Sequence, residues 1–434
     1  MRSSPPKSLL HSFLLGIFLS LLTVSCPRLA LAVPKAKMKQ HTVTAHKTVI
    51  AARRSRKEKV VAKEEGEEDR AGVAASGDGA AKDCKASVLM DFESGDILSE
   101  ENAHQPLPPA SMVKLMTTYV LEKNLQEGHI KAEDLVTASA HVSKIGGSQV
   151  YLKEGEQFTV AQLLEALLIQ SANDAAVALA EHIAGSSAGF VDLMSEEASR
   201  LGMKESEFHS PHGLPPGKEQ LPDKISAYDF AILSRALIRE FPRVVDTTKK
   251  VEAPFRGGEF VMRNHNHLLS SFPGADGLKT GFYAQAGFSV AATAGRNGSR
   301  MIAVVMGCKA RKFRDEKAGR LLAEGFTSYK SLTLAQKGAS IDEAVEVAGG
   351  EKTSVFPVFA EEVKTSLKLG DEQRIVKRNQ LCTNLPAPVS PNTPCGAVVF
   401  LVGNREIAKV PLIVIESIPA LSTLGKLKRM AGLI

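Results

Sequence analysis

Hydrophobic and polar positions change their spacing several times along the chain, and each change marks an element. Ser87-Val88-Leu89-Met90-Asp91-Phe92 is a short strand-like run. Glu93-Ser94-Gly95-Asp96 supplies turn chemistry, and Ile97-Leu98 begins a return strand. Pro108-Pro109 suits a helix entry, and no Gly or Pro interrupts the chain from there to Lys123, which predicts a helix with Ser111 in its first turn. A loop-rich stretch surrounds Ile145-Gly146-Gly147-Ser148. Thr159 starts a second helix, which stops at Gln170-Ser171-Ala172-Asn173-Asp174, and an Ala-rich helix then runs to Ile183. Helical spacing continues over 190–201 and 227–240. From about residue 278 the pattern turns to strands, 278–282, 286–294 and 301–306, with Gly295-Arg296-Asn297-Gly298 between the last two. Asn-Gly between two apolar runs predicts a tight hairpin. A helix from 313 to about 329 closes this region.

Strand hairpin, helices, strands and helix in that order predict an α/β fold of the α+β kind, one antiparallel sheet flanked by helices, over 84–331. If the first strand pairs antiparallel with the last, Cys84 meets Cys308. Residues 332–415 read as short strands, at 353–359, 363–369, 396–402 and 407–415, and so as a small all-β domain. The tail, 416–434, puts Leu421, Leu424, Leu427, Ala431 and Ile434 on one broad face with Lys426 and Arg429 off it, which suits contact with a membrane surface. A frayed C-terminus fits almost as well, since the tail has no Trp or Phe.

The start of the chain is built differently. Arg2 and Lys7 precede a broken apolar run from Leu9 to Val24, and Ala30-Leu31-Ala32 has the small-x-small form of a cleavage site, which predicts a signal peptide over 1–32. An uncleaved anchor, or a lipoprotein cut before Cys26, fits these residues less well. The expected location is outside the cytoplasm, in the periplasm or at the outer face of a bacterial inner membrane. Residues 33–83 run from basic (Arg53-Arg54-Ser55-Arg56-Lys57) to acidic (Glu64-Glu65-Gly66-Glu67-Glu68-Asp69) to Gly/Ala-rich, the composition of a disordered linker.

With 434 residues, 44% of them hydrophobic, the chain can hold two domains with sizeable cores. A net charge of +6, partly in that linker, together with no Trp and 5% aromatic residues, gives no platform for nucleic acid. Export permits disulfides. With Cys26 gone, Cys84, Cys308, Cys382 and Cys395 remain, and none has zinc-site spacing. The expected pairs are Cys84–Cys308, from the strand argument, and Cys382–Cys395, closing a Pro- and Asn-rich loop.

Three short patterns carry candidate chemistry. Ser111 and Lys114 are three residues apart at a helix start, hence neighbours on one face. A lysine kept neutral can take the serine proton, and helix N-terminal N–H groups can hold an oxyanion. Ser171 and Asn173 lie at a helix break, where a hydroxyl can pass a proton and an amide can hold a lysine and a carbonyl. Lys279-Thr280-Gly281 lies in a strand beside Gly277, and glycines there mark close approach of a ligand or another backbone. Singly each pattern is weak: Ser4/Lys7 and Ser390-Pro391-Asn392 repeat the first two by chance.

Ser-x-x-Lys, Ser-x-Asn and Lys-Thr-Gly in this order make the chain resemble penicillin-binding proteins and serine β-lactamases. More specifically it resembles the low-molecular-mass D-alanyl-D-alanine carboxypeptidases of the penicillin-binding protein 5/6 type, serine peptidase family S11. Further matches are Leu168-Ile169-Gln170, Leu201-Gly202-Met203, His212-Gly213-Leu214, Asn264-His265-Asn266-His267-Leu268-Leu269 and Asp276-Gly277-Leu278. The resemblance implies a β-lactamase/transpeptidase-like five-stranded antiparallel sheet flanked by helices, then a small all-β domain. It implies that Ser111 attacks the bond between two D-alanines of peptidoglycan stem peptides and that Lys114 is the base. It further implies that Ser171 and Asn173 relay the proton and position substrate, that Lys279 and Thr280 hold the terminal carboxylate with Gly281 also at the substrate-binding edge, and that the N–H groups of Ser111 and Phe282 form the oxyanion hole. β-Lactam antibiotics would acylate Ser111, and no metal or cofactor is needed. Two positions depart from the pattern: Phe282 stands where relatives often have His, and His265 where some have Arg. No Glu-x-x-Leu-Asn segment lies between Ser171 and Lys279, which argues against a class A β-lactamase. His209-x-x-His212 reads as loop rather than zinc ligands. A D,D-endopeptidase would share every residue named, and a wall-binding protein with a decayed site is the non-enzyme alternative.

Overall fold

The structure is a computed structural model and describes residues 83–217 and 220–433. The expected signal peptide, and all of the expected linker except Asp83, lie outside these residues.

The first strand, β1 (Ala86–Asp91), is buried at every position. It returns through the Glu93–Asp96 turn as β2 (Ile97–Glu101). The central helices are α1 (Lys114–Glu127), α2 (Val160–Ile169), α3 (Asn173–Ala184), α4 (Ser187–Leu201) and α5 (Ala227–Glu240). Then come β3 (Ala275–Gly281), β4 (Phe288–Arg296), β5 (Ser299–Cys308) and α6 (Arg311–Ser328). The five strands form one sheet in the order β2-β1-β5-β4-β3, antiparallel throughout. β4 and β5 join through Asn297 (φ 51°) and Gly298 (φ 79°), the two positive-φ positions of a type I′ turn.

Successive residues of a strand face opposite sides, and both sides of this sheet are covered. Leu89, Val290, Ala292, Ala303 and Val305 pack with Leu321 and Leu322 of α6. Val88, Met90, Ala291, Ile302 and Val304 pack with the central helices. The first two turns of α1, Lys114 through Leu121, are buried on every side. A helix so enclosed holds a site rigidly, because nothing around it can relax without opening the core.

Cys84 and Cys308 are bonded, with Cα atoms 3.8 Å apart across β1 and β5. The Cys382–Cys395 pair is a correction. Both thiols are free, although the Cys382 N–H donates to the Cys395 carbonyl at 3.0 Å. Cys395 is 1% exposed in the β-domain core and Cys382 packs against the same cluster, so each acts as a small apolar side chain. Burial and the neighbouring Cys382 push the Cys395 thiol up to about 11, away from the reactive thiolate.

The β-rich part begins at β6 (Tyr329–Ala335), directly after α6. β6 pairs with β7 (Val363–Lys368). A second sheet holds β8 (Ile375–Leu381), β9 (Thr393–Val402) and β10 (Arg405–Val414), with Val358–Phe359 at one edge. The expected strand over 353–359 is instead two short pieces, Ser354–Val355 and Val358–Phe359, with Pro357 between them. The tail forms α7 (Thr423–Met430), capped by the Ser422 side chain. Arg429 donates to the Gly350 and Glu351 carbonyls and ties α7 to the β-rich part. Leu424 (63%), Leu427 (61%), Met430 (86%) and Leu433 (72%) remain exposed. Among the described residues no helix is long and apolar enough to cross a membrane.

Candidate active site

Pro109 leads into a single 3-10 turn, Ala110–Val113, which runs directly into α1. Ser111 sits in that turn and Lys114 opens the helix, so the two side chains share a face. Glycines press on this turn from two directions. A Cβ on Gly281, at the end of β3, would lie 2.5 Å from the Pro109 carbonyl oxygen and 3.2 Å from the Ser111 nitrogen. A Cβ on Gly213 would lie 2.0 Å from the Ala110 carbonyl oxygen. Backbone therefore closes on the Ser111 peptide where no side chain fits.

Lys114 is 0% exposed. Its Nζ lies 3.0 Å from Ser111 Oγ, 2.6 Å from Asn173 Oδ1 and 2.7 Å from the His212 carbonyl oxygen. Asn173 Oδ1 and the His212 carbonyl can only accept, so they take two N–H bonds. A neutral amine with both N–H groups so placed turns its lone pair to the Ser111 hydroxyl. Burial and the cationic Lys279 hold this lysine well below its usual range, against a smaller opposing pull from Asp174 and Asp223.

Asn173 is itself fixed. Its Nδ2 donates to the Gly146 carbonyl at 2.8 Å and its backbone N–H to the Ser148 carbonyl at 2.8 Å. Gly147, at φ 74°, leaves the space that Nδ2 fills, since a Cβ there would come within 2.6 Å of it. Asp174 accepts from the backbone N–H groups of Val150 and Leu152 and pins the same loop to α3. Ser171 precedes these residues with φ 60° and 4% exposure. The cap position of α3 belongs to Ala172, so Ser171 is no helix cap.

Lys279 is 3% and Thr280 7% exposed on β3. The start of β3 is held by Thr248, whose Oγ1 donates to the Asp276 carbonyl, and by Asn266, whose Nδ2 donates to the Gly277 carbonyl. Gly277 and Gly281 both mark close approach, as their place in a strand suggested. Phe282 stacks on Phe288 with ring centres 4.1 Å apart. His265 lies near Lys279 and Arg314, and burial together with those cations lowers it to about 4. His265 is thus a neutral imidazole with its Nε2 buried.

Ser111, Lys114 and Asn173 are joined by direct hydrogen bonds, while Lys279 reaches Lys114 through its charge and Gly281 meets Ser111 through backbone. The sequence marked His212-Gly213-Leu214 and read 209–212 as loop, but not the part its backbone plays at Lys114. The loop 209–214 supplies the His212 carbonyl and the Gly213 contact, and the His212 ring accepts from the Leu214 N–H at Nδ1. Burial and Lys114 lower that ring to about 3. His209 and His212 lie in this loop, as expected.

The comparisons with known proteins agree with the geometry. Residues 73–310 match the family described as D-alanyl-D-alanine carboxypeptidase, and residues 329–420 match the C-terminal domain of penicillin-binding protein 5. The D-alanyl-D-alanine carboxypeptidase DacF of Bacillus subtilis is 32% identical over 356 residues, 81% of this chain and 90% of that protein. The structure of penicillin-binding protein 5 from Haemophilus influenzae superposes with a TM-score of 0.72 at 32% identity, covering 80% of this chain and all of the other. Penicillin-binding protein D2 from Listeria monocytogenes, solved with ampicillin bound, has a TM-score of 0.52 at 30% identity over 56% of this chain and 98% of its own. A buried amine facing a serine, a helix-break amide and a Lys-Thr-Gly strand thus sit in a chain whose family match and relatives agree, and the chain belongs to the D-alanyl-D-alanine carboxypeptidases of serine peptidase family S11.

Proposed function

We propose that this carboxypeptidase works through an acyl-enzyme on Ser111 with Lys114 as its base. The observation that carries the reading is the sealed amine, with Asn173 and His212 on two of its hydrogen-bonding directions and Ser111 Oγ on the third. Oγ attacks the carbonyl carbon of the penultimate D-alanine and its proton passes to Nζ. The oxyanion forms against the N–H groups of Ser111 and Phe282, which the approach of Gly281 to the Ser111 nitrogen brings close. The C–N bond then breaks, and the proton moves by way of Ser171 to the departing amine. Lys279 and Thr280 hold the terminal carboxylate, with the Gly281 peptide completing that edge. Water takes the place of D-alanine, Lys114 accepts its proton, and the shortened peptide leaves.

In a β-lactam the leaving nitrogen stays tethered to the acyl group, so acylated Ser111 persists. The ampicillin-bound relative supports this reading. We further propose that the chain acts after export, at the outer face of an inner membrane, and that α7 rests on that surface through Leu424, Leu427, Met430 and Leu433, with Lys426 and Lys428 toward phosphate headgroups.

A disaccharide pentapeptide tests the site. The full chain releases D-alanine; Ser111→Ala and Lys114→Ala release none above background. Release by Ser111→Ala at the parent rate refutes the nucleophile. Cross-linked dimers cleaved faster than the pentapeptide would make the endopeptidase reading the better one.

A further inference from the structure

One carboxylate near the site has no part in the steps above, yet it lies at the root of the loop that touches the base. Asp223 is 6% exposed. Its Oδ1 accepts from the backbone N–H groups of His209 (2.6 Å) and Ser210 (3.0 Å), and its Oδ2 from Ser210 Oγ (2.7 Å). Ser210 Oγ in turn accepts from the Gly213 N–H at 2.9 Å. Three donors on one carboxylate fold the segment 209–213 into a closed turn. Asp223 is itself anchored, since the adjoining Lys224 exchanges both backbone hydrogen bonds with Glu207. From the other side Thr117 of α1 donates its hydroxyl to the Pro211 carbonyl at 2.7 Å. The turn is therefore clamped between Asp223 and α1, and its next two residues are the ones that meet the site: the His212 carbonyl on Lys114 and Gly213 on the Ala110 carbonyl.

We propose that Asp223, acting through Ser210, is a positioning residue for the base: it holds the 209–214 loop so that the His212 carbonyl fixes Lys114 and keeps water from it. The inference rests on the reading of Lys114 as the base. A carbonyl that drifts by an ångström loses its hydrogen bond and admits water, and a wetter amine binds its proton more tightly.

Two variants separate the clamp from the charge. Ser210→Ala cuts the link between Asp223 and the Gly213 N–H without changing any charge. Asp223→Asn weakens the same link and also removes a negative charge that favours protonated Lys114. The groups that act on Lys114 are Lys279 of β3, Asp174 of α3, Asp223 and His212 of this loop. Those that act on Asp223 besides Lys114 are His209 and Tyr283.

The experiment measures acylation by fluorescent penicillin and D-alanine release from pentapeptide against pH, with the melting temperature of each variant alongside. Ser210→Ala should acylate at least tenfold more slowly through kcat, with KM within twofold, and its acid limb should move to higher pH. Asp223→Asn should also slow at least tenfold, with an acid limb below that of Ser210→Ala. Ser210→Thr, which keeps the hydroxyl, should recover most of the rate. If Asp223→Asn does not fold, Ser210→Ala and Ser210→Thr decide alone. Both Ser210→Ala and Asp223→Asn within twofold of wild type, with the wild-type pH profile, would overturn the proposal while Lys114→Ala remained dead. An active Lys114→Ala would overturn the base reading itself, and the inference with it.

Discussion

The Nζ of Lys114 lies 3.0 Å from the Oγ of Ser111, and among the described residues its other hydrogen-bond partners are the oxygens of Asn173 and His212. Both of those oxygens accept, so neither can orient an N–H toward the serine. Once the amine is neutral, its lone pair can accept from the Ser111 hydroxyl.

The first prediction concerns pH. Acylation needs neutral Lys114, so its rate should rise with pH through an acid limb set by that lysine, well below where a free lysine titrates. The two histidines at the site titrate at about 3 and about 4, so neither sets this limb. Lys279→Ala removes a cation that favours the neutral amine, and its limb should move to higher pH, whereas Lys279→Arg should leave it in place. An unmoved limb in Lys279→Ala would show that burial alone tunes the base.

Stability should carry the same signature with a known sign. The folded pKa of Lys114 is depressed, so between it and the ordinary lysine value the unfolded chain binds a proton that the folded chain does not. Folding stability from this group therefore rises as pH rises through that window. Lys114→Met should be flatter than wild type over the same range in denaturant midpoints taken at several pH values.

Asn173→Ala removes the amide that holds Lys114 and leaves the Gly146 carbonyl without its donor. A lost buried hydrogen bond of this kind costs roughly 1–3 kcal/mol, so acylation should fall about 10- to 100-fold. Stopped-flow penicillin acylation measures it, and a change below threefold would place Lys114 in other hands.

Gly281→Ala puts a methyl 2.5 Å from the Pro109 carbonyl. Strand and turn must part, so the oxyanion N–H groups should lose their alignment, with roughly a 100-fold or greater loss of kcat and a smaller change in melting temperature. Wild-type turnover in this variant would mean that the close approach has no catalytic use.

The Cys84–Cys308 bond closes a separation of 224 residues. Replacing both cysteines with serine should destabilise the chain by about 2–5 kcal/mol in guanidinium titrations, and an unchanged midpoint would show that the bond adds nothing to the fold.

Much of the main sheet was legible in the sequence for local reasons. The apolar run at Val88, the Asn297-Gly298 turn and the continuous apolar strands around it are patterns that sterics and burial write directly into residue order. The β-rich part was read less well. β8 is an edge strand whose exposed Lys377, Arg378, Asn379 and Gln380 have no buried face to betray them, and Pro357 divides a stretch that looks continuous by hydrophobicity alone. Ser111, Lys114, Asn173 and Lys279 could be picked out because their chemistry is compressed into short motifs. The His212 carbonyl and the Asp223 clamp could not, since a backbone oxygen leaves no residue type to recognise and Asp223 reaches Ser210 only after the chain has folded.

The most direct test of the account is tandem mass spectrometry of the protein after benzylpenicillin, paired with D-alanine release by wild type and Ser111→Ala. The account predicts one penicilloyl group on the peptide carrying Ser111 and release by wild type alone. A penicilloyl group on any other serine, or undiminished release by Ser111→Ala, would contradict it.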